Sequence, residues 1–241
     1  MEGTVALVTG ANRGIGKALV TALLERGAAK VYAGARDVAA VTADDPRIVP
    51  VRLDVTDASD VAAATEIARD VQLVVNNAGV AEPGTALQAD LDGARRQFEV
   101  NVLGVVATTQ AFAPVLARNG GGGFINVLSV SSWAASPFLA TYSATKAAAW
   151  SYTNAARVEL KGQGTHVVGV HVGFVDTDLT AGIPGEKTAP SAVAASALDA
   201  LEAREPEAIV DEISRQTKAA LSDDQNLIYP RLEKAFLAAI G

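Results

Sequence analysis

Short, continuously apolar runs alternate with longer amphipathic segments along this chain, and few folds accept that pattern. Val5–Thr9, Lys30–Ala35, Ile48–Leu53, Leu73–Asn76, Phe124–Leu128 and Thr165–Val172 read as strands. Runs such as Ala6-Leu7-Val8 and Leu73-Val74-Val75 carry no polar alternation. Strands covered on both faces look like this, and the strands of parallel sheets are so covered. Between them, Gly14–Arg26, Ser59–Arg69, Leu91–Arg118 and Tyr142–Lys161 read as helices, the third with a bend expected at Pro114. A helix near Ser191–Ala203, a short strand at Ala208–Val210 and further helical segments complete the chain. Strand–helix alternation with short links predicts an α/β fold, a doubly wound parallel sheet of about seven strands with helices on both faces. The 241 residues fit one such domain, residues 1–241. In such sheets ligands bind beyond the C-terminal ends of the strands, so the residues that follow each strand are the ones to read for chemistry.

Composition removes several chemistries. The chain has no cysteine, which excludes disulfides, iron–sulfur clusters, thiolate zinc sites and a cysteine nucleophile. Its two histidines, His166 and His171, cannot supply a three-histidine metal site, and no metal is expected. His171 lies in an apolar strand and reads as structural, and His166 as a surface residue. The net charge of −7 argues against nucleic acid and against anionic membrane surfaces. No uninterrupted run of about 18 apolar residues occurs. The start Met1-Glu2-Gly3-Thr4 puts an acid where a signal peptide has a base, so a cytoplasmic setting is expected.

The segment Thr9-Gly10-Ala11-Asn12-Arg13-Gly14-Ile15-Gly16 follows the first strand and opens the first helix. Glycines there allow close approach of a phosphate to backbone N–H groups, and the helix start adds its dipole. This context points to a dinucleotide. The end of the second strand bears on which one. An acid there binds the two ribose hydroxyls, but the chain reads Gly34-Ala35-Arg36-Asp37. With Ala35 in the acid's place, Arg36 and Arg13 suit a 2′-phosphate, which favours NADP(H). The rival reading makes Asp37 the ribose ligand and leaves Arg13 solvated.

Tyr142-Ser143-Ala144-Thr145-Lys146 places a phenol and an ammonium one helical turn apart. A nearby ammonium favours the phenolate, so Lys146 is expected to lower the Tyr142 pKa toward a useful range. Ser129 lies thirteen residues earlier, just after an apolar strand. Asn101-Val102-Leu103-Gly104 lies in the long helix, and Asn76-Asn77-Ala78-Gly79 ends the fourth strand. With the glycine loop, these motifs resemble the short-chain dehydrogenase/reductase family over Thr9 through Thr177, and in particular its NADPH-dependent carbonyl reductases.

The resemblance implies a Rossmann-like domain and a role for each matching residue. Tyr142 is implied as the catalytic acid/base, and Lys146 as the group that binds the nicotinamide ribose and tunes the tyrosine. Ser129 would hydrogen-bond the substrate oxygen, with Ser131, Ser132 and Ser136 as weaker candidates. Asn101 would hold a water in the proton relay behind the lysine. Gly10, Asn12, Arg13, Gly14, Ile15 and Gly16 would cradle the cofactor. Asn77, Ala78 and Gly79 would flank the adenosine ribose, and Asp54 and Val55 the adenine. Gly173, Val175 and Thr177 resemble the segment that touches the nicotinamide, with Val172 where the family has proline. The implied reaction is reversible reduction of a ketone or aldehyde.

For the substrate side, Trp133, Phe138, Leu139, Phe174 and Leu179 stand near the motifs and would form an apolar pocket beside Ser129, or be core instead. Gly182–Pro190 reads as a lid loop. Asp176 and Asp178 read as loop residues. A homodimer or homotetramer is implied, to which Trp150 and Tyr152 could contribute. The segment after Glu202 departs from the family pattern. Two other readings stand beside carbonyl reduction: a 3-oxoacyl-carrier-protein reductase, and a non-catalytic NADP(H)-sensing protein.

Overall fold

The computed structural model describes residues 1–240. Among these residues, seven strands form one sheet in the order β3-β2-β1-β4-β5-β6-β7. They are β1 (Val5–Thr9), β2 (Lys30–Ala35), β3 (Ile48–Arg52), β4 (Leu73–Asn76), β5 (Gly122–Val127), β6 (Thr165–His171) and β7 (Glu207–Ile209). Every pairing is parallel. The expected doubly wound α/β fold is therefore the observed one. The order reverses between β1 and β4, which opens a crevice at their C-terminal ends.

The apolar runs are explained by two cores. Ala6 and Val8 face one cluster and Leu7 the other; Leu73 and Val75 likewise oppose Val74. This is the strand period of two with both faces covered. Helices α1 (Gly14–Glu25) and α6 (Pro190–Glu202) cover the first face through Leu19, Leu23, Val193 and Leu198. Helices α2 (Ala58–Ile67), α4 (Gly104–Arg118) and α5 (Ala140–Leu160) cover the second through Val61, Phe112, Leu116 and Leu160. Burying each large apolar side chain contributes roughly 1.5–3 kcal/mol, so the alternation is firmly specified.

The expected single helix Leu91–Arg118 is interrupted. It consists of α3 (Leu91–Phe98), a π-helical turn at Glu99–Leu103, and α4. Pro114 lies inside α4, which continues to Arg118. Leu91–Arg118 contains a window long and apolar enough, with mean hydropathy 1.6, to cross a bilayer. Here it packs on the sheet through Val105, Phe112, Val115 and Leu116. Beyond β7 come α7 (Glu212–Ala220), α8 (Asp224–Leu227) and α9 (Tyr229–Ile240). Phe236 of α9 packs on Phe138, ring centroids 5.2 Å apart, so the C-terminal helix reaches the strand-end face.

Candidate active site

The glycine loop connects β1 to α1 at the crevice. Gly10 has φ +64°, a left-handed conformation that a side chain disfavours. A Cβ on Gly16 would lie 2.1 Å from the Gly10 carbonyl oxygen, so only glycine permits this turn. The loop is tied to β4. Asn77 Nδ2 donates to the carbonyls of Thr9 (2.9 Å) and Gly10 (3.1 Å). The Thr9 hydroxyl accepts from the N–H groups of Asn77 and Ala78, each at 3.0 Å. Asn12 and Ile15 complete a loop that enters α1 through Arg13, a cap residue whose side chain makes no capping bond. The first N–H groups of α1 thus lack the carboxylate caps that α2, α3 and α7 receive from Asp57, Asp90 and Asp211.

Arg13 is exposed and donates to Asp178 at 3.0 Å across the crevice mouth. Arg36 stands exposed beyond β2. The neighbouring Asp37 carboxylate accepts from Ala39 N at 3.0 Å, capping a short turn. Asp54 closes a turn by accepting from Thr56 N (3.0 Å) and Oγ1 (2.7 Å), while Val55 is buried beside Gly104.

The chemistry-bearing side chains meet beyond β4, β5 and β6. Ser129 follows β5 and caps a tight turn: its Oγ accepts from Ser131 N at 3.1 Å. Its N–H donates to Ser132 Oγ at 3.3 Å. Tyr142 and Lys146 lie on one face of α5, with Lys146 Nζ 5.7 Å from the tyrosine ring centroid. That ammonium donates to the Val127 carbonyl at 2.8 Å. The π-helical turn presents Asn101, whose Nδ2 donates to Val80 O (2.8 Å) and Thr145 Oγ1 (3.0 Å). Its Oδ1 accepts from Val80 N at 2.9 Å. A Cβ on Gly79 would stand 3.4 Å from Asn101 Oδ1 and 3.8 Å from Lys146 Nζ, so these three groups share one corner.

The electrostatics differ from the sequence expectation. Tyr142 is pushed up to about 12 by desolvation in its half-buried setting, which the neighbouring Ser129 hydroxyl only partly offsets. Burial also brings Lys146 down to about 8. Desolvation penalises the charged form of each group. The phenol is therefore held protonated at neutral pH rather than drawn toward the phenolate.

On the third side, Gly173 N donates to Asp211 Oδ2 at 2.7 Å. Thr177 caps the turn Asp178–Thr180, and its methyl group would lie 3.1 Å from a Cβ on Gly14. The Val175 carbonyl accepts from Thr180 Oγ1. Phe138, Phe174 and Leu179 are exposed apolar groups on this face, and Leu139 precedes α5. Trp133 is different: it is buried, stacked on His171 at 3.8 Å between centroids. Trp150 packs edge-on to Trp133, with ring centroids 6.3 Å apart. Sequence reading did not single out Thr145, Asp211 or Phe236, which carry no motif of their own.

Known proteins are similar to this chain in sequence and fold. The family model described as "short chain dehydrogenase" matches residues 4–188. The chain belongs to the short-chain dehydrogenase family. A short chain dehydrogenase from Burkholderia cenocepacia J2315, solved in complex with NADP, is 40% identical with a TM-score of 0.92, covering 96% of this chain and 98% of that one. The 3-ketoacyl-(acyl-carrier-protein) reductase from Brucella melitensis, complexed with NADH, is 30% identical with a TM-score of 0.79, covering 86% and 95%. Cis-4-hydroxycyclohexanecarboxylate dehydrogenase of Sinomonas cyclohexanicum is 37% identical over 198 residues, covering 78% and 80% of the two chains. A short-chain dehydrogenase works with a nicotinamide dinucleotide, and the residues here fit one. The cradle that a Cβ at Gly16 would fill, and the uncapped N–H groups of α1, are what a pyrophosphate requires.

Proposed function

We propose that this short-chain dehydrogenase is an NADPH-dependent carbonyl reductase that converts a ketone or aldehyde to an alcohol, reversibly. The observation that carries this reading is the meeting of Ser129, a protonated Tyr142 and Lys146 at the strand ends beside the glycine loop. The bound cofactor supplies the hydride. Ser129 donates a hydrogen bond to the substrate oxygen as negative charge grows there. Tyr142, beside Ser129, delivers the proton to that oxygen. Lys146 steadies the phenolate left behind and holds the nicotinamide ribose, and Asn101 keeps the lysine's corner in place. Gly10, Asn12, Gly14, Ile15 and Gly16 bind the pyrophosphate; Asn77, Ala78 and Gly79 flank the adenosine ribose; Asp54 and Val55 meet the adenine. Gly173, Val175 and Thr177 border the nicotinamide.

Arg13 and Arg36 select NADP(H) by binding the 2′-phosphate. Asp37 supports this choice because its carboxylate is committed to Ala39 N. Phe138, Leu139, Phe174 and Leu179 make the substrate side apolar. The protein is expected to act in the cytoplasm as a homodimer or homotetramer on a small molecule, without nucleic acid or membrane. The 30% identity to a 3-ketoacyl-(acyl-carrier-protein) reductase favours a second reading, the same chemistry on a carrier-bound thioester.

NADPH and NADH oxidation with a panel of aryl and alkyl ketones and an acyl-carrier thioester tests these readings, with chiral analysis of the products. Turnover of simple ketones with NADPH preferred is the expected result. Preference for the thioester supports the second reading, and a clear NADH preference refutes the assignment of Arg13 and Arg36.

A further inference from the structure

His171 ends β6 with no solvent exposure. An imidazole enclosed in this way is costly unless its nitrogens find partners. Its Nδ1 lies 3.2 Å from the main-chain carbonyl oxygen of Ser129. A carbonyl only accepts, so Nδ1 carries a proton and donates it. Its Nε2 makes no hydrogen bond among the described residues and faces Glu207 Oε1 at 3.6 Å. The ring lies nearly flat on Trp133, inclined by 17°.

Glu207, at the start of β7, is itself held. Its Oε2 accepts from Lys218 Nζ at 2.7 Å and its Oε1 from Trp150 Nε1 at 3.3 Å. Contact with His171, and then with Lys218, keeps the carboxyl down at about 2 despite its partial burial. Lys218 Nζ also sits 4.7 Å over the Trp133 ring. The charged groups facing the imidazole from the neighbouring elements are thus Glu207 of β7 and Lys218 of α7. All of this stands directly behind Ser129, whose carbonyl also accepts from Ser132 N at 3.0 Å.

We propose that His171, oriented by Glu207 and Lys218, is a positioning residue for Ser129. It pins the serine's main-chain carbonyl and so fixes where the hydroxyl meets the reacting oxygen. The segment after Glu202, which departs from the family pattern, thereby buttresses the catalytic serine from behind. The inference rests on the catalytic role of Ser129 proposed above.

Two substitutions separate the hydrogen bond from the stacking. His171→Asn keeps a donor at the place of Nδ1 but loses the ring. His171→Phe keeps a flat ring against Trp133 but loses the donor. With a ketone and NADPH, His171→Phe is expected to lower kcat by about tenfold, the rate equivalent of one hydrogen bond, with KM for NADPH unchanged. His171→Asn is expected to retain most of the wild-type kcat while melting at a lower temperature. The reverse order, with the phenylalanine variant active and the asparagine variant impaired, marks a packing role and overturns the proposal. Glu207→Gln lies nearer the surface and keeps its shape, so it serves even if His171→Phe does not fold; it is expected to lower kcat by about threefold. An active wild type with an unaffected Glu207→Gln and His171→Phe overturns only the positioning role. A wild type without ketone turnover overturns the reading of the site, and this role with it.

Discussion

At the scale of single residues, the site is a problem in desolvation. Lys146 was expected to draw Tyr142 toward the phenolate, but Lys146 is buried and Tyr142 half-buried, and desolvation acts on both. The phenol stands at about 12 and the ammonium at about 8. A tyrosine so placed remains an acid throughout the neutral range, which suits proton delivery in reduction. The lysine is the group that titrates near working pH. Its charge is present below about 8 and lost above it, and with it goes the stabilisation of the forming phenolate. The ketone reduction rate is therefore expected to fall as pH rises through about 8. A steady-state pH profile checks this, and a rate that stays flat across that range would contradict it. The pairing of Tyr142 with Lys146 was legible in the sequence because helical spacing puts them on one face. The direction of their shifts was not, because enclosure comes from residues distant in the chain.

At the scale of elements, strands were more legible than helix irregularities. Two-sided burial leaves an unbroken apolar run, so β1 and β4 could be read with their observed ends, and β6 with its end displaced by one residue. Nothing in Glu99-Val100-Asn101-Val102-Leu103 announces a π-helical turn, yet that turn brings Asn101 against Val80 and Thr145. A buried polar chain that joins the sheet to α5 was equally silent. Asn76 Nδ2 donates to Asn126 Oδ1 at 2.8 Å, and Asn126 Nδ2 donates to Thr153 Oγ1 at 2.9 Å. These residues lie far apart in sequence and look unremarkable singly. Asn126→Ala strands a buried donor and opens a small cavity, so it is expected to cost about 2–3 kcal/mol. Chemical denaturation measures that loss; an unchanged midpoint would show that the chain of bonds does not fix α5.

At the scale of the whole molecule, one sheet carries both the dinucleotide cradle and the proton chemistry. The absence of cysteine and the shortage of histidine fit the proposed mechanism, in which tyrosine, lysine and serine handle the proton. In the proposed scheme cofactor choice is set at the crevice mouth, where Arg13 and Arg36 are exposed and, among the described residues, only Arg13 of the two has an ion-pair partner. An exposed pair such as Arg13–Asp178 is worth little, roughly 0–1 kcal/mol, and so yields readily to a phosphate. Arg13→Ala with Arg36→Ala is expected to raise KM for NADPH about 30-fold or more and leave KM for NADH nearly unchanged, the loss of two charge-assisted contacts. Comparative kinetics with the two cofactors decides it. Equal losses with both would place the arginines elsewhere in the binding scheme. The central claim, that Tyr142 is the acid that completes carbonyl reduction, is tested most directly by Tyr142→Phe. NADPH binding by fluorescence titration is expected to match the wild type while ketone turnover falls by a factor on the order of a thousand. A Tyr142→Phe protein that binds NADPH and still reduces the ketone at the wild-type rate would contradict the account.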